Sequence, residues 1–139
     1  TSNPSSGEFQ DRLIDGRPLY ELVAEKVVEW GNMSMDGAYS NVGAVVGATY
    51  PEQIAELRKK LPHTFFLIPG YGAQGATAKD IAAAFDANGL GGIVNSSRGI
   101  MTAYKKEGCD EHDFAGAAFR EALRMRDEIM GFVGKIQLP

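Results

Sequence analysis

The chain is poor in the residues that build metal or disulfide sites, with one Cys, two His and one Trp among 139 residues. The lone Cys109 has no internal partner for a disulfide, and this usage suits a reducing, cytoplasmic setting. Every apolar stretch is interrupted by Gly, Pro or a charged side chain well short of the roughly 20 residues that a spanning helix requires. No membrane anchor or signal peptide is therefore expected. Fourteen basic against 18 acidic side chains give a net charge of -4, and the Lys and Arg are scattered. That pattern argues against a nucleic-acid or anionic-membrane partner and leaves small molecules as the expected ligands. No Gly-Lys-Ser/Thr occurs, which excludes a P-loop.

Glycine, in contrast, is abundant: 17 residues, about 12% of the chain against a usual value near 7%. No repeat accounts for them, so they are read as positional. Three segments share one grammar, an apolar run, a Gly-containing polar loop and a stretch of helical periodicity. The first run is Val42–Ala48, followed by a helix carrying Ile54, Leu57 and Leu61, with Thr49 and Glu52 spaced as a capping box and Pro51 in the first turn. The second is Thr64–Ile68, with a helix from about Thr77 to a stop at Asn88-Gly89. The third is Gly92–Asn95, then Ser96-Ser97-Arg98-Gly99, a turn through Tyr104 and a long helix striped by Phe114, Ala118, Ala122, Met125, Ile129 and Val133. A helix over Pro18–Trp30, with Leu19, Leu22, Val23, Val27 and Trp30 on one side, precedes them, and Thr1–Arg17 reads as a polar loop.

The nearly all-apolar strands predict a parallel sheet covered on both faces, in an α/β fold. A (β/α)8 barrel takes about 250 residues, roughly 30 per unit, so four units match the length in hand. The chain also begins Thr1-Ser2-Asn3-Pro4 without Met. The expected architecture is therefore the C-terminal half of a (β/α)8 TIM barrel, from the end of strand 5 through helix 8, with residues 1–139 forming half of one domain. A half-barrel exposes apolar strand edges, so self-association of the isolated chain is also expected.

In such folds the ligand sits where strands end and helices begin. The loop Pro69-Gly70-Tyr71-Gly72-Ala73-Gln74-Gly75 frees the backbone to approach an anion and carries one amide, while Ser96-Ser97-Arg98-Gly99 adds hydroxyls, N–H groups and a guanidinium. Together they make a phosphate cradle. Gly70, Gly72 and Gly75 also spell a dinucleotide fingerprint, but the next strand ends Val94-Asn95-Ser96 without the acid that holds a ribose. The Cys109–Asp113 run contains metal-ligand types whose adjacency does not make them converge; acids there complement a helix N-terminus. Arg120, Arg124 and Arg126 alternate with acids as on a solvated helix face.

The Pro69–Gly75 loop together with Ile93–Ile100 resembles the last two active-site loops of the orotidine 5'-phosphate decarboxylase family. Thr1–Ser6 and Val45–Glu52 are similar to the matching segments of its bacterial type 2 subgroup. The resemblance runs through essentially the whole chain in order. It implies a homodimeric, cytoplasmic barrel that converts orotidine 5'-monophosphate to uridine 5'-monophosphate in pyrimidine biosynthesis, without metal or organic cofactor. It further implies that Gln74 and Arg98 hold the 5'-phosphate, that backbone N–H groups near Ser97 and Arg98 assist, and that Gly70, Gly72, Gly75 and Gly99 shape the phosphate loops. Pro69 would lie beside the pyrimidine and Ser2 would bond its amide edge. Where other branches carry Gly before the Arg, this chain has Ser97, which still offers its N–H.

The family's catalytic array, Asp-x-Lys-x-x-Asp, is missing: none of the eight Asp is followed two positions later by Lys. No catalytic residue is assigned to this segment, and the N-terminal half of the barrel is the expected partner that supplies it. Two other readings remain open from the residues, a non-catalytic phosphate-binding half-barrel and another phosphosugar barrel decarboxylase or synthase.

Overall fold

The computed structural model describes residues 4–72, 75–109, 111–134 and 136. A 3-10 turn at Pro4–Ser6 leads into α1 (Gly7–Gln10), an antiparallel pair β1 (Leu13–Ile14) and β2 (Arg17–Pro18), and α2 (Leu19–Asn32). A second pair, β3 (Met35–Asp36) and β4 (Tyr39–Ser40), precedes β5 (Ala44–Val45), α3 (Pro51–Lys60), β6 (Phe66–Pro69) and α4 (Ala78–Ala82). Then follow β7 (Gly92–Asn95), α5 (Ser97–Met101), α6 (Ala103–Glu107), a 3-10 turn and α7 (Phe114–Val133). The region expected as a plain loop before Pro18 thus holds a hairpin. Asp15 (φ 51°) and Gly16 (φ 79°) both sit in the left-handed region, the backbone twist that a two-residue hairpin demands.

The sheet that matters is β5-β6-β7, parallel throughout. Its register aligns Ala44, Phe66 and Gly92 in one row and Val45, Leu67 and Ile93 in the next. β5 is short, yet Val46 N donates to Leu67 O and Ala48 N to Pro69 O, each at 2.9 Å, so residues 44–48 of the expected Val42–Ala48 run lie extended along β6. Phe66 and Ile68 point into a core with Ile54 and Leu61 of the α3 segment, Ala78 and Ile81 of α4, and Met125 of α7. That face is sealed by helices. The opposite face differs from expectation: Val45, Leu67 and Ile93 are 69%, 40% and 57% exposed. The strands are apolar on both sides, but among the described residues no element crosses the second face.

Several helix details depart from the sequence reading for local reasons. Helix α3 starts at Pro51 with Tyr50 as its N-cap, which puts Glu52 one position too early for a box with Thr49. The box forms instead at α4, where Thr77 Oγ1 accepts from Asp80 N and Asp80 Oδ2 accepts from Thr77 N at 2.7 Å. α4 ends at Ala82 rather than near Asn88, because the Asp86 carboxylate accepts from Asn88 N and Leu90 N and turns the chain. On α2 the buried side is Ala24 and Gly31, flanked by Val27 and Val28, while Val23 and Trp30 are exposed. A Cβ on Gly31 would come within 2.8 Å of Ser40 Oγ, so a small-residue face is what lets the β4 segment approach. On α7 the buried residues are Ala117 and Met125; Phe114 and Ala122 face outward, since α4, α5 and α6 pack on the adjoining side.

One polar group is built into this core. Arg58, only 9% exposed, donates from Nε to Ala84 O, from one terminal nitrogen to Leu61 O and Thr64 O, and from the other to Gly91 O, at 2.7–2.9 Å. Its guanidinium lies 3.7 Å from the centre of the Phe66 ring. Burial lowers its pKa, with Tyr39 and Asp86 opposing. Those four carbonyls close α3, precede β6, follow α4 and precede β7, so one fork gathers the N-terminal ends of the sheet. Arg58→Met keeps the stem but strips all four acceptors of their donor, and should cost on the order of 3–5 kcal/mol in urea denaturation. Arg58→Lys should recover only part of that loss, because an ammonium cannot span the same fork. The open apolar row should make the isolated chain bind a hydrophobic dye and associate in sedimentation, and Leu67→Lys should reduce both.

Candidate functional site

At the C-terminal ends of β6 and β7 two loops meet. Gly70, Gly72 and Gly75 have φ of 103°, 71° and 91°, and a Cβ at Gly72 or Gly75 would touch nothing within 4 Å. Glycine is needed there for backbone conformation, not to relieve crowding. The loop closes on itself through a Tyr71–Ala76 bridge, Gly72 N to Ala76 O at 2.9 Å and Gly75 N to Gly72 O at 3.0 Å. Gln74, expected on this loop, and Ser2, expected to join it from the chain start, lie outside the described residues.

The second loop is shorter than the sequence suggested, because Ser97, Arg98 and Gly99 already belong to α5. Ser96 is buried and its Oγ donates to Tyr71 O at 3.2 Å, which pins the two loops together. A Cβ on Gly99 would fall 2.4 Å from that Oγ, so Gly99 makes room for the tie. Ser97 Oγ donates to Asn95 Oδ1 at 3.2 Å, and Arg98 is exposed with no ion pair among the described residues. Pro69, Gly70, Tyr71, Asn95, Ser96, Ser97 and Arg98 line an open cavity of about 200 Å³. That is below the roughly 300–1,000 Å³ of a complete small-molecule site. It suits one end of a ligand, with the exposed Arg98 guanidinium for an anion.

A comparable cavity of about 230 Å³ lies between α2, α3 and the free edge of β5, walled mainly by Leu19, Val23, Val27, Val45 and Leu57. It is mainly apolar, with Gln10, Tyr20 and Gln53 as its polar members, and offers no charged group, so the loops are the better candidate for binding an anion. Cys109 and Asp113 are engaged by neighbouring side chains: Arg120 pairs with Glu107 and Asp113, and Cys109 Sγ donates to Glu107. Asp110 lies outside the described residues.

Two contributors to the site had no sequence signal strong enough to single them out. Asn95 ends an apolar run and Tyr71 sits within the glycine loop, and neither residue type marks a site by itself. Tyr71 is 3% exposed, and its hydroxyl donates to Glu128 Oε2 at 2.7 Å; Glu128 is held in turn by Arg124, which also pairs with Glu121. The glycine loop is thereby strapped to α7. Burial, together with the Glu128 carboxylate, pushes the Tyr71 phenol up to about 12, while the Tyr71 and Arg124 hydrogen bonds hold Glu128 below the usual carboxylate range.

Comparison with known proteins sets these loops in context. No protein-family model matches the chain. It is 48% identical over 136 residues to orotidine 5'-phosphate decarboxylase of Rhodopirellula baltica, covering 94% of this chain and 45% of that protein. It is 54% identical over 130 residues to the enzyme of the same name from Caldicellulosiruptor bescii, covering 93% and 42%. Among solved structures, a Toxoplasma gondii crystal structure provisionally named orotidine-monophosphate-decarboxylase matches at 30% identity with TM-score 0.71, over 97% of this chain and 50% of that one. Leishmania donovani UMP synthase matches at 38% identity and TM-score 0.62, over 86% and 26%. The chain spans about half the length of the curated relatives it matches.

The strap makes a testable claim. Because the folded Tyr71 pKa of about 12 exceeds the free value near 10, its stabilisation is complete below pH 10 and is lost as pH rises through 12. Tyr71→Phe should lower stability by about 0.5–1.5 kcal/mol at pH 7 and flatten the alkaline limb between pH 10 and 12, measured by denaturation across that range.

Proposed function

The chain belongs to the orotidine 5'-phosphate decarboxylase family, as a segment of a (β/α)8 barrel, and from that premise we propose that it is the C-terminal half that grips the nucleotide. The observation that carries this reading is the pinned pair of loops: the glycine loop after β6 and the Ser97-Arg98 turn after β7, joined by Ser96 to Tyr71 O. Arg98 supplies a planar charged fork to the 5'-phosphate of orotidine 5'-monophosphate, Gln74 adds its amide, and main-chain N–H groups near Ser97 and Arg98 complete the cradle. Pro69, at the end of β6, flanks the pyrimidine, and Ser2 bonds its amide edge.

The reaction splits the bond between C6 of the base and the carboxylate, and needs a proton donor at C6. Family resemblance puts that donor in an Asp/Lys array, which these 139 residues do not contain. The N-terminal half of the barrel supplies it, and the open row Val45–Leu67–Ile93 is the face that half would close. The division is physically sensible, because binding energy from a remote phosphate can be used to orient and desolvate the reacting end. No metal or organic cofactor is required by this scheme, and the working form is a cytoplasmic homodimer.

The full barrel should decarboxylate orotidine 5'-monophosphate, and this segment should regain activity only when mixed or co-expressed with its N-terminal counterpart. Arg98→Ala should weaken uridine 5'-monophosphate binding by roughly 100-fold or more in calorimetry, the loss of about two charge-assisted hydrogen bonds. A preference for ribulose phosphates over the uridine nucleotide would instead favour a phosphosugar enzyme. Full activity from residues 1–139 alone would overturn the placement of the catalytic groups.

A further inference from the structure

The open face of the sheet carries one polar side chain that the nucleotide grip described above does not use. Ile93 and Asn95 alternate out of β7 onto the same face, where the register sets Ile93 beside Leu67 and Asn95 beside Pro69. Among the described residues of β5, β6 and β7, every other side chain on that face is apolar: Val45, Leu67, Pro69 and Ile93. A face that is to be enclosed gains nothing from an amide there unless the amide meets a partner. Ser97 Oγ donates to Asn95 Oδ1, so the oxygen end is engaged and the NH2 is the end that can donate into the cavity that Asn95 lines with Pro69 and Arg98.

Depth selects which part of a ligand it meets. Asn95 is the last residue of β7 and stands on the strand face in the register row of Pro69, whereas Ser97 and Arg98 lie beyond the strand in α5. A nucleotide whose phosphate sits on Arg98 and the glycine loop must extend its sugar and base down the open face toward Pro69 and Asn95. We infer that Asn95 is a specificity-determining residue, donating its amide N–H to a carbonyl oxygen of a pyrimidine base laid against Pro69, with Ser97 fixing the orientation of the amide. This rests on the reading of the site as a nucleotide grip, and it adds Asn95 of β7 to the residues that recognise the base.

The test uses the full-length barrel and two probes, uridine 5'-monophosphate and ribose 5-phosphate, the second having the phosphate and sugar but no base. Asn95→Ala and Asn95→Leu should each weaken the uridine nucleotide about tenfold and leave ribose 5-phosphate affinity unchanged, which also certifies that each variant is folded. Ser97→Ala should move the nucleotide in the same direction by a smaller factor. Arg98→Ala should weaken both probes. Equal weakening of both probes by the Asn95 variants, or of neither, would overturn the assignment to the base. If the unsubstituted barrel bound uridine 5'-monophosphate no better than ribose 5-phosphate, the nucleotide-grip reading itself would fall, and this inference with it.

Discussion

A single buried guanidinium sets the geometry on which the rest depends. Arg58 reaches carbonyls at Leu61, Thr64, Ala84 and Gly91, which belong to three turns at one end of the sheet. Carbonyls at helix and loop ends need donors when buried, and one planar fork satisfies them together while stacking on Phe66. Because Thr64 and Gly91 lead directly into β6 and β7, fixing them fixes where those strands start and how far apart they run. Tyr39 and Asp86 close the same end: the phenol donates to Asp86, whose other oxygen holds Asn88 N and Leu90 N.

The far end of the same strands is built on the opposite plan. The bonds there are few and specific: Ser96 ties one loop to the other, and Tyr71 straps the glycine loop to α7 through Glu128. What they leave exposed is a guanidinium and the edge of an open apolar face. The fold thus separates a stability end from a chemistry end, as α/β architectures generally do. The Ser96 and Tyr71 ties hold the described residues of the glycine loop in register with Ser97 and Arg98.

The half-length of the chain against its relatives gives the exposed row a physical reading. Val45, Leu67 and Ile93 are strand residues of the kind that fill a barrel interior, and they are exposed because these residues form three strands and not a closed ring. The apolar cavity along the free edge of β5 has the same origin, since that edge has no hydrogen-bonded neighbour among the described residues. An amide at Asn95 among such neighbours stands out for that reason.

Much of this was legible in the residues. The apolar runs ending at Pro69 and Asn95, the helix begun by Pro51, the long helix after Asp113 and the two glycine- and arginine-bearing loops all follow from local rules of period, turn chemistry and charge, which act between neighbours in sequence. What those rules could not reach were choices made between distant positions. Arg58 reads as one of three basic residues at a helix end, and its role exists only once positions 61, 64, 84 and 91 converge on it. Which faces of α2 and α7 are buried, which side of the sheet is open, and that Asn95 looks out beside Pro69 were decided by the tertiary fold. The chain's local grammar specifies elements and loop chemistry; only the juxtaposition of strands whose pairing carries no local signature decides which of those residues share a site.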